Sequence, residues 1–294
     1  MTCPLLRGTQ VKYCGSAAIR KLIPIAPAGG RDEKCYSAAH ATCAEYRSKA
    51  AEPVADGRCP FLCESRMQYC AAAVRRLAPY SESAPSRCGS SSFRYCDQYQ
   101  TMAPPGLPGE AVDGLPLPGR LSYSANHVWL DVTEDGVCHA GIDAFLARVL
   151  GRIDRLSYVW EKGRHCPAAV LTAAGQDFEV VFPNPMLLTG CNLYLRSNPA
   201  RLAVEPYTAG WLFEGVPLEE TRNNLRTGAA AREWMEREQR RISEFLQQPA
   251  EGSRPYAADG GQFAEGVARQ VPPERRRALF HEFFSPLASQ TGQW

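Results

Sequence analysis

Twelve of the 294 residues are cysteines, and eight of them fall into two copies of one pattern. Residues 3–46 read CPLLRGTQVKYCGSAAIRKLIPIAPAGGRDEKCYSAAHATCAEY, and residues 59–99 read CPFLCESRMQYCAAAVRRLAPYSESAPSRCGSSSFRYCDQY. Cys3 corresponds to Cys59, Cys14 to Cys70, Cys35 to Cys88 and Cys43 to Cys96, with spacings C-x10-C-x20-C-x7-C and C-x10-C-x17-C-x7-C. Only the Pro/Gly/Ser loop between the second and third cysteines changes length, which a loop tolerates and a ligand geometry does not. Four thiolates hold one iron–sulfur cluster or one structural zinc. Structural zinc sites favour pairs about two to four residues apart, because a tight turn aims both sulfurs at one ion. The repeated cysteines contain no such pair, and four separated thiolates suit a larger cluster. The expectation is two iron–sulfur clusters, most simply 4Fe–4S, on Cys3, Cys14, Cys35, Cys43, Cys59, Cys70, Cys88 and Cys96. Two zinc ions on the same thiolates are the alternative. The ligand sets can lie within each repeat or mix across the two.

The C-x7-C pair constrains local structure. Eight residues of straight helix rise about 12 Å, far for two ligands of one centre. Cys35 and Cys88 are therefore expected in loops just before a short helical turn, with Cys43 and Cys96 at its far end. Ser37 and Ser90 would be its caps. Cys63, Cys138, Cys166 and Cys191 have no place in the repeat and read as buried apolar thiols. Of the five histidines, none forms a spaced metal pair.

Lys+Arg is 33 against 31 Asp+Glu, a formal net charge of +2. That balance argues against nucleic acid as a partner. No apolar run reaches the length of a transmembrane helix. The opening MTCPLLRGTQ lacks the apolar core of a secretory signal, so a cytoplasmic location is expected, where clustered cysteines bind metal rather than pair as disulfides. No Gly-rich phosphate loop, Gly-x-Ser-x-Gly elbow or His-Glu-x-x-His motif occurs, so the chain is not expected to be an enzyme in its own right. Asp143, Asp154, Asp177 and Glu179 read as surface carboxylates.

These side chains must be positioned by five segments: two small Cys-rich modules (1–50 and 51–100), a linker (101–120), a mainly β domain (121–217) and a helical arm (218–294). The linker carries five Pro and four Gly and reads as extended rather than packed. HVWLDV, FEVVF and NLYL read as strands, separated by the turn signals EDG, EKG and PNP. DAFLARVLGRI reads as a helix. EETRNNLRTGAAAREWMEREQRRISEFLQQ and PPERRRALFHEFFSP read as amphipathic helices that dock partners, the latter with proline in its first turn. The fold class is thus a multidomain α+β chain.

Residues 121–217 resemble the H-protein of the glycine cleavage system, a lipoyl-carrier β-sandwich. YSANHVWLDV is similar to its Tyr-Thr-x-x-His-x-Trp opening. GVCHAGIDAFLARVLGRIDRLSYVWEKGRHC is similar to its Gly-Ile-Thr-x-x-Ala-x-x-x-Leu-Gly-x-Ile segment. SNPARLAVEPYTAGWLFEGVP is similar to its Asn-x-x-Pro and Pro-Tyr-x-x-Gly-Trp-Leu ending, through Asn198, Pro199, Pro206, Tyr207, Gly210 and Trp211. The family carries lipoate on a lysine in Glu-Ser-x-Lys-x-x-x-Asp. The corresponding stretch here is LTAAGQDFEVVFP, which places Gly175 at the lysine position. The chain has five lysines and none follows Lys162. The resemblance therefore implies the sandwich fold without lipoate. Together these readings give an iron–sulfur electron-transfer or scaffolding subunit of a larger redox complex. Other subunits of that complex would meet it through the H-protein-like domain and C-terminal helices. A zinc-stabilised adaptor without a redox role is the alternative.

Overall fold

The computed structural model describes residues 2–25, 34–49, 57–73, 77–79, 87–102, 111–159, 166–218, 224–247 and 263–285. The chain divides into two compact units, Met1–Gly89 and Ser90–Trp294. The boundary falls inside the second repeat, between its third and fourth cysteines, rather than at the ends of the modules read from the sequence.

The first unit holds β1 (Leu6–Cys14), β2 (Ile23–Pro24), α1 (Ala44–Lys49), β3 (Leu62–Cys70) and β4 (Leu77–Pro79). They form one antiparallel sheet in the order β2-β1-β3-β4. The central pair comes from the two repeats, running from Leu6 opposite Cys70 to Cys14 opposite Leu62. Gln10 faces Arg66 at the centre, and these two hold equivalent places in the repeat, so a local two-fold axis passes between them. The flanking strands obey it: Val11 pairs with Pro24 as Met67 pairs with Pro79. Each proline lies on an outer strand, where its missing N–H interrupts no ladder.

After each pair of strands comes the same turn. In the first repeat, 3-10 turns at Lys34–Tyr36 and Ala38–Thr42 lead into α1. In the second, Arg87–Gly89 and Ser91–Tyr95 lead into α2 (Asp97–Met102). Edge-to-face ring pairs, His40–Tyr46 and Phe93–Tyr99, brace the two turns with centroids 4.7 Å apart in both.

The second unit continues with β5 (Ala111–Val112), β6 (Leu115–Pro116), β7 (Ser122–Tyr123), β8 (Val128–Val132), β9 (Cys138–Ile142), α3 (Ala144–Leu150), β10 (Ile153–Val159), β11 (Ala168–Ala173), β12 (Gln176–Val181) and β13 (Met186–Cys191). Then follow α4 (Tyr194–Ser197), α5 (Arg201–Val204), β14 (Phe213–Pro217), α6 (Gly228–Gln247), α7 (Val267–Gln270) and α8 (Pro273–Phe284). One sheet runs β13-β14-β9-β8-β7 and another β10-β11-β12. Both feed one hydrophobic core, through Val128, Leu130, Ala140, Ile142 and Phe213 from the first and Ile153, Leu156, Leu171, Phe178 and Val180 from the second.

The structure departs from the sequence expectations at three places. Residues 103–110 of the expected linker lie outside the described residues, but β5 and β6 form a hairpin that buries Val112, Leu115 and Leu117 in the core. Its turn, Asp113–Gly114, has positive φ at both positions (45° and 76°), the mirror-image turn that suits paired strands. NLYL is not a strand. Asn192 turns the chain by donating its Nδ2 to the Ala209 carbonyl, and α4 follows. The C-terminal helices are not a free arm. Ala231, Trp234, Met235, Ile242, Phe245 and Leu246 recur at helical spacing along one face of α6, and that face joins the sandwich core. Leu279, Phe283 and Phe284 of α8 do the same.

Candidate functional site

The repeated cysteines of the first unit lie toward the two ends of the β1–β3 ladder. Cys14 closes β1 opposite Leu62, while the N–H of Leu62 donates to the Cys59 carbonyl, so Cys59 turns back beside that end. The Cys59 N–H donates to the Cys35 carbonyl at 2.8 Å. Around them, Lys12 lies over the Tyr36 ring at 5.0 Å, and the Tyr36 hydroxyl donates to Glu64 Oε1 at 2.7 Å. α1 reaches the same end: Lys49 donates to the Ser16 carbonyl, and Tyr46 rests 5.9 Å from the Phe61 ring. Cys43 is the residue before α1, and its carbonyl accepts the first helical hydrogen bond, from Arg47 at 3.0 Å.

The opposite end repeats this. Cys70 stands opposite Leu6, the Leu6 N–H donates to the Cys3 carbonyl, and the Cys3 N–H donates to the Cys88 carbonyl at 2.8 Å. Cys96 precedes α2 in the second unit as Cys43 precedes α1 in the first. Cys3 and Cys59 are buried, and Cys14, Cys35, Cys43, Cys70, Cys88 and Cys96 are half-buried. The Ser16 hydroxyl, 3.1 Å from Cys14 Sγ, holds that thiol below its ordinary range. Soft thiolate donors of this kind fit an iron–sulfur cluster or zinc. Among the described residues, no three His, Cys, Asp or Glu side chains are gathered as closely as a bound metal ion requires.

Cys35 and Cys88 sit within short 3-10 turns, and Cys43 and Cys96 end the next ones. Ser90 caps its turn by accepting from the Ser92 N–H at 3.2 Å. Ser37 occupies the equivalent position without a side-chain cap. Of the remaining thiols, Cys138 is fully buried between β14 and β8, and burial pushes it up to about 12. Cys166 is also buried, and Cys191 lies on β13 opposite Phe213.

A buried polar centre in the second unit escaped the sequence reading. His127, with φ of 61°, places Nδ1 2.7 Å from Asp143 Oδ2, both side chains being fully buried. Asp143 Oδ1 caps α3 by accepting from the Leu146 N–H at 2.9 Å, so this carboxylate is not at the surface. His127 Nε2 lies 3.8 Å from Glu238 Oε2 of α6, an ion-pair distance too long for a hydrogen bond. Burial opposes the charged ring, but the two carboxylates outweigh it and His127 is raised above 6.5. A second network joins Tyr95 to the sandwich. Its hydroxyl donates to Asp131 Oδ2 at 2.6 Å, and its ring stacks on His139 at 4.0 Å, whose Nε2 lies 2.9 Å from Glu214. Asp143 directly before AFLARVL was the available signal, since it is a helix-capping position.

β11 and β12 meet in a two-residue turn, Ala174–Gly175, with φ of 53° and 76°. Gly175 is exposed at the tip, and a side chain there would meet open space. α8 grips the hairpin from one side. Arg276 Nη1 donates to the Ala174 carbonyl at 2.7 Å, Gln176 Nε2 donates to the Pro273 carbonyl at 3.3 Å, and Phe178 stacks on Phe280 at 4.6 Å. Between them is a cavity of about 290 Å³ lined by Asp177, Glu179, Arg277 and His281 among others.

The second unit is thus a two-sheet antiparallel domain, as the resemblance implied for residues 121–217, with the C-terminal helices α6 and α8 packed on its core. Over 120 residues the chain is 28% identical to the glycine cleavage system H protein of Sodalis glossinidius, covering 39% of this chain and 90% of that protein. It is 30% identical over 105 residues to the H protein of Neisseria meningitidis serogroup A, covering 34% and 81%. Through this part of its length the chain belongs to the glycine cleavage system H protein family. The crystal structure of an H protein from Mycobacterium marinum is 25% identical and covers 42% of this chain and 98% of its own, with a TM-score of 0.34. No family model matches the chain. No helix among the described residues is long and apolar enough to cross a membrane.

Proposed function

We propose that the chain is a non-catalytic subunit of a larger cytoplasmic redox complex. Its cysteine repeats hold iron–sulfur clusters, and its H-protein-like domain serves for docking rather than for carrying lipoate. The observation that carries this reading is the pair of congruent cysteine turns, in which Cys35 and Cys43 occupy the same backbone positions as Cys88 and Cys96. A loop repeated with its cysteines in the same local geometry is what two equivalent thiolate sites need. Bound clusters would supply one-electron transfer, with potentials set by solvent exposure and by hydrogen bonds to sulfur. The residues of this chain would fix the thiolates and limit water.

Two features support docking without lipoate. Gly175 has no amine at the open hairpin tip, and no lysine follows Lys162. In addition, Leu187 and Val216 are cross-strand partners on β13 and β14 with 64% and 41% exposure, an apolar strip suited to a protein partner.

Anaerobic purification with visible spectroscopy and iron, sulfide and zinc analysis tests the reading. A brown protein bleached by dithionite, with iron and sulfide in equal amounts, is expected. A colourless protein with zinc and no iron would replace it with the structural adaptor. Absence of both metals would remove the metal reading altogether.

A further inference from the structure

We infer from the strand register that the ligand sets are exchanged between the repeats: Cys14, Cys35 and Cys43 of the first repeat with Cys59 of the second would supply one soft-metal centre, although their sulfurs are not gathered around one point in this structure. This rests on the metal-holding reading above and specifies which thiolates share a centre.

β1 is nine residues long, so its ends lie about 27 Å apart at roughly 3.4 Å per residue. Cys3 is held at the Leu6 end by the Leu6 N–H to Cys3 carbonyl bond, and Cys14 closes the other end. That separation is far beyond one zinc, whose sulfurs lie about 2.3 Å from the ion, and beyond one iron–sulfur cluster. Cys3 and Cys14 therefore cannot serve the same centre. β3 separates Cys59 from Cys70 in the same way, since it too spans nine residues, with Cys59 held to the Leu62 end. A site that uses all four cysteines of one repeat is impossible while the ladder stands.

The antiparallel pairing supplies the replacement. It returns Cys59 to the end where Cys14 lies, and the Cys59 N–H to Cys35 carbonyl bond fixes it beside the third cysteine of the first repeat. α1, which begins directly after Cys43, is tied to that end through Lys49 and Ser16. At the other end the reciprocal relation joins Cys3 to Cys70 and Cys88. Cys63 belongs to neither set. It pairs with Tyr13, and because side chains alternate along a strand it points to the opposite face from Cys14. Metal binding would draw the four sulfurs together at the ladder's end, coupling the site to folding of the unit.

Paired substitutions in the full-length chain test this, read by iron, sulfide and zinc content after anaerobic purification. With exchanged sets, C35S/C59S removes thiolates from one site and retains half the wild-type metal, whereas C3S/C35S damages both sites and loses nearly all. Sets confined to a repeat predict the reverse, and that result overturns the inference while leaving the metal-holding reading intact. Iron with sulfide, or zinc alone, in the retained half identifies the centre. A wild-type chain without metal instead overturns the functional reading, and this inference falls with it. Should the variants fail to fold, the metal-free wild-type chain oxidised with diamide provides the second measurement. Peptide mapping should find Cys35 joined to Cys59, and Cys3 joined to Cys14 or to Cys35 would overturn the exchange.

Discussion

His127 and Asp143 meet with Nδ1 and Oδ2 2.7 Å apart, both side chains wholly withdrawn from solvent. His127 stands before β8, Asp143 caps α3, and Glu238 reaches the same ring from α6. One imidazole thus ties the sandwich to the helical extension. Its ring also stacks on Phe145 at 4.2 Å and lies 4.7 Å from Trp234. Removing one member of such a group leaves buried charge without a partner, which costs more than the intact group contributes.

His127→Ala is therefore expected to destabilise the second unit by about 3–5 kcal/mol, read by denaturant unfolding of tryptophan fluorescence. The pH dependence has a definite sign. Because His127 is raised above 6.5, its contribution is complete below 6.5 and is lost as pH rises through its folded value. Glu238 is also buried, which opposes its ionisation, but His127 and Arg241 more than offset this and hold it below 4.5. Its contribution is lost as pH falls below 4.5. Wild-type stability should decline on both sides of the interval between them, and the alkaline decline should flatten in the His127→Ala variant. An unchanged alkaline limb would refute the assignment.

Gly151 follows α3 with φ of 61°, and a Cβ there would stand 2.6 Å from the Gly266 Cα. The Gly266 N–H donates to the Arg148 carbonyl at 2.8 Å, which holds the two backbones together. Gly151→Ala should cost about 3 kcal/mol or more, combining overpacking with left-handed strain. Gly266 also has positive φ (70°), but its nearest neighbour lies 3.9 Å away. Gly266→Ala should therefore cost only about 1 kcal/mol. Thermal melts of the two variants check the difference, and equal costs would exclude the close approach as its cause.

The cysteine repeat, its local turns and the amphipathic face of α6 could be read from the sequence because each depends on neighbours within a few residues. The partners of those features could not. Cys59 meets Cys35 only through the register of β1 on β3, a non-local choice that repeat spacing does not encode. The helical periodicity of α6 shows an apolar face that includes Trp234 and Ile242, but not that the sandwich of the same chain covers it. At 111–118 the abundance of Pro and Gly outweighed a sharper signal, Asp113–Gly114 between apolar residues, which is a hairpin turn. Asp143 reads as a surface residue from its own segment because its burial follows from His127, sixteen residues earlier in the chain.

The contact between α8 and the β11–β12 hairpin can be tested separately from the core. Phe280 is partly buried and stacks on Phe178, while Arg276 satisfies the turn carbonyl of Ala174. Phe280→Ala should cost about 2 kcal/mol, from lost apolar burial and the ring pair. Limited proteolysis with mass spectrometry should then place the first new cuts within residues 263–285. Cuts unchanged from wild type would show that Leu279, Phe283 and Phe284 hold α8 without help from Phe280.

The hairpin tip gives the sharpest test of the carrier question. Gly175 has φ of 76° and open space where a side chain would go, so Gly175→Lys requires only left-handed strain, about 1 kcal/mol. For a unit of this size that corresponds to a melting shift of about 2–4 °C. The variant should fold and present an amine at the tip, where the wild type has none. After incubation with lipoate, ATP and a lipoate ligase, intact-mass spectrometry should show the wild type unmodified, because its five lysines all lie at or before Lys162 and none is in this hairpin. Only the Gly175→Lys variant offers the ligase a lysine at this position. A lipoyl adduct on the wild type would place the attachment on one of those five lysines and restore the carrier role that the hairpin argues against.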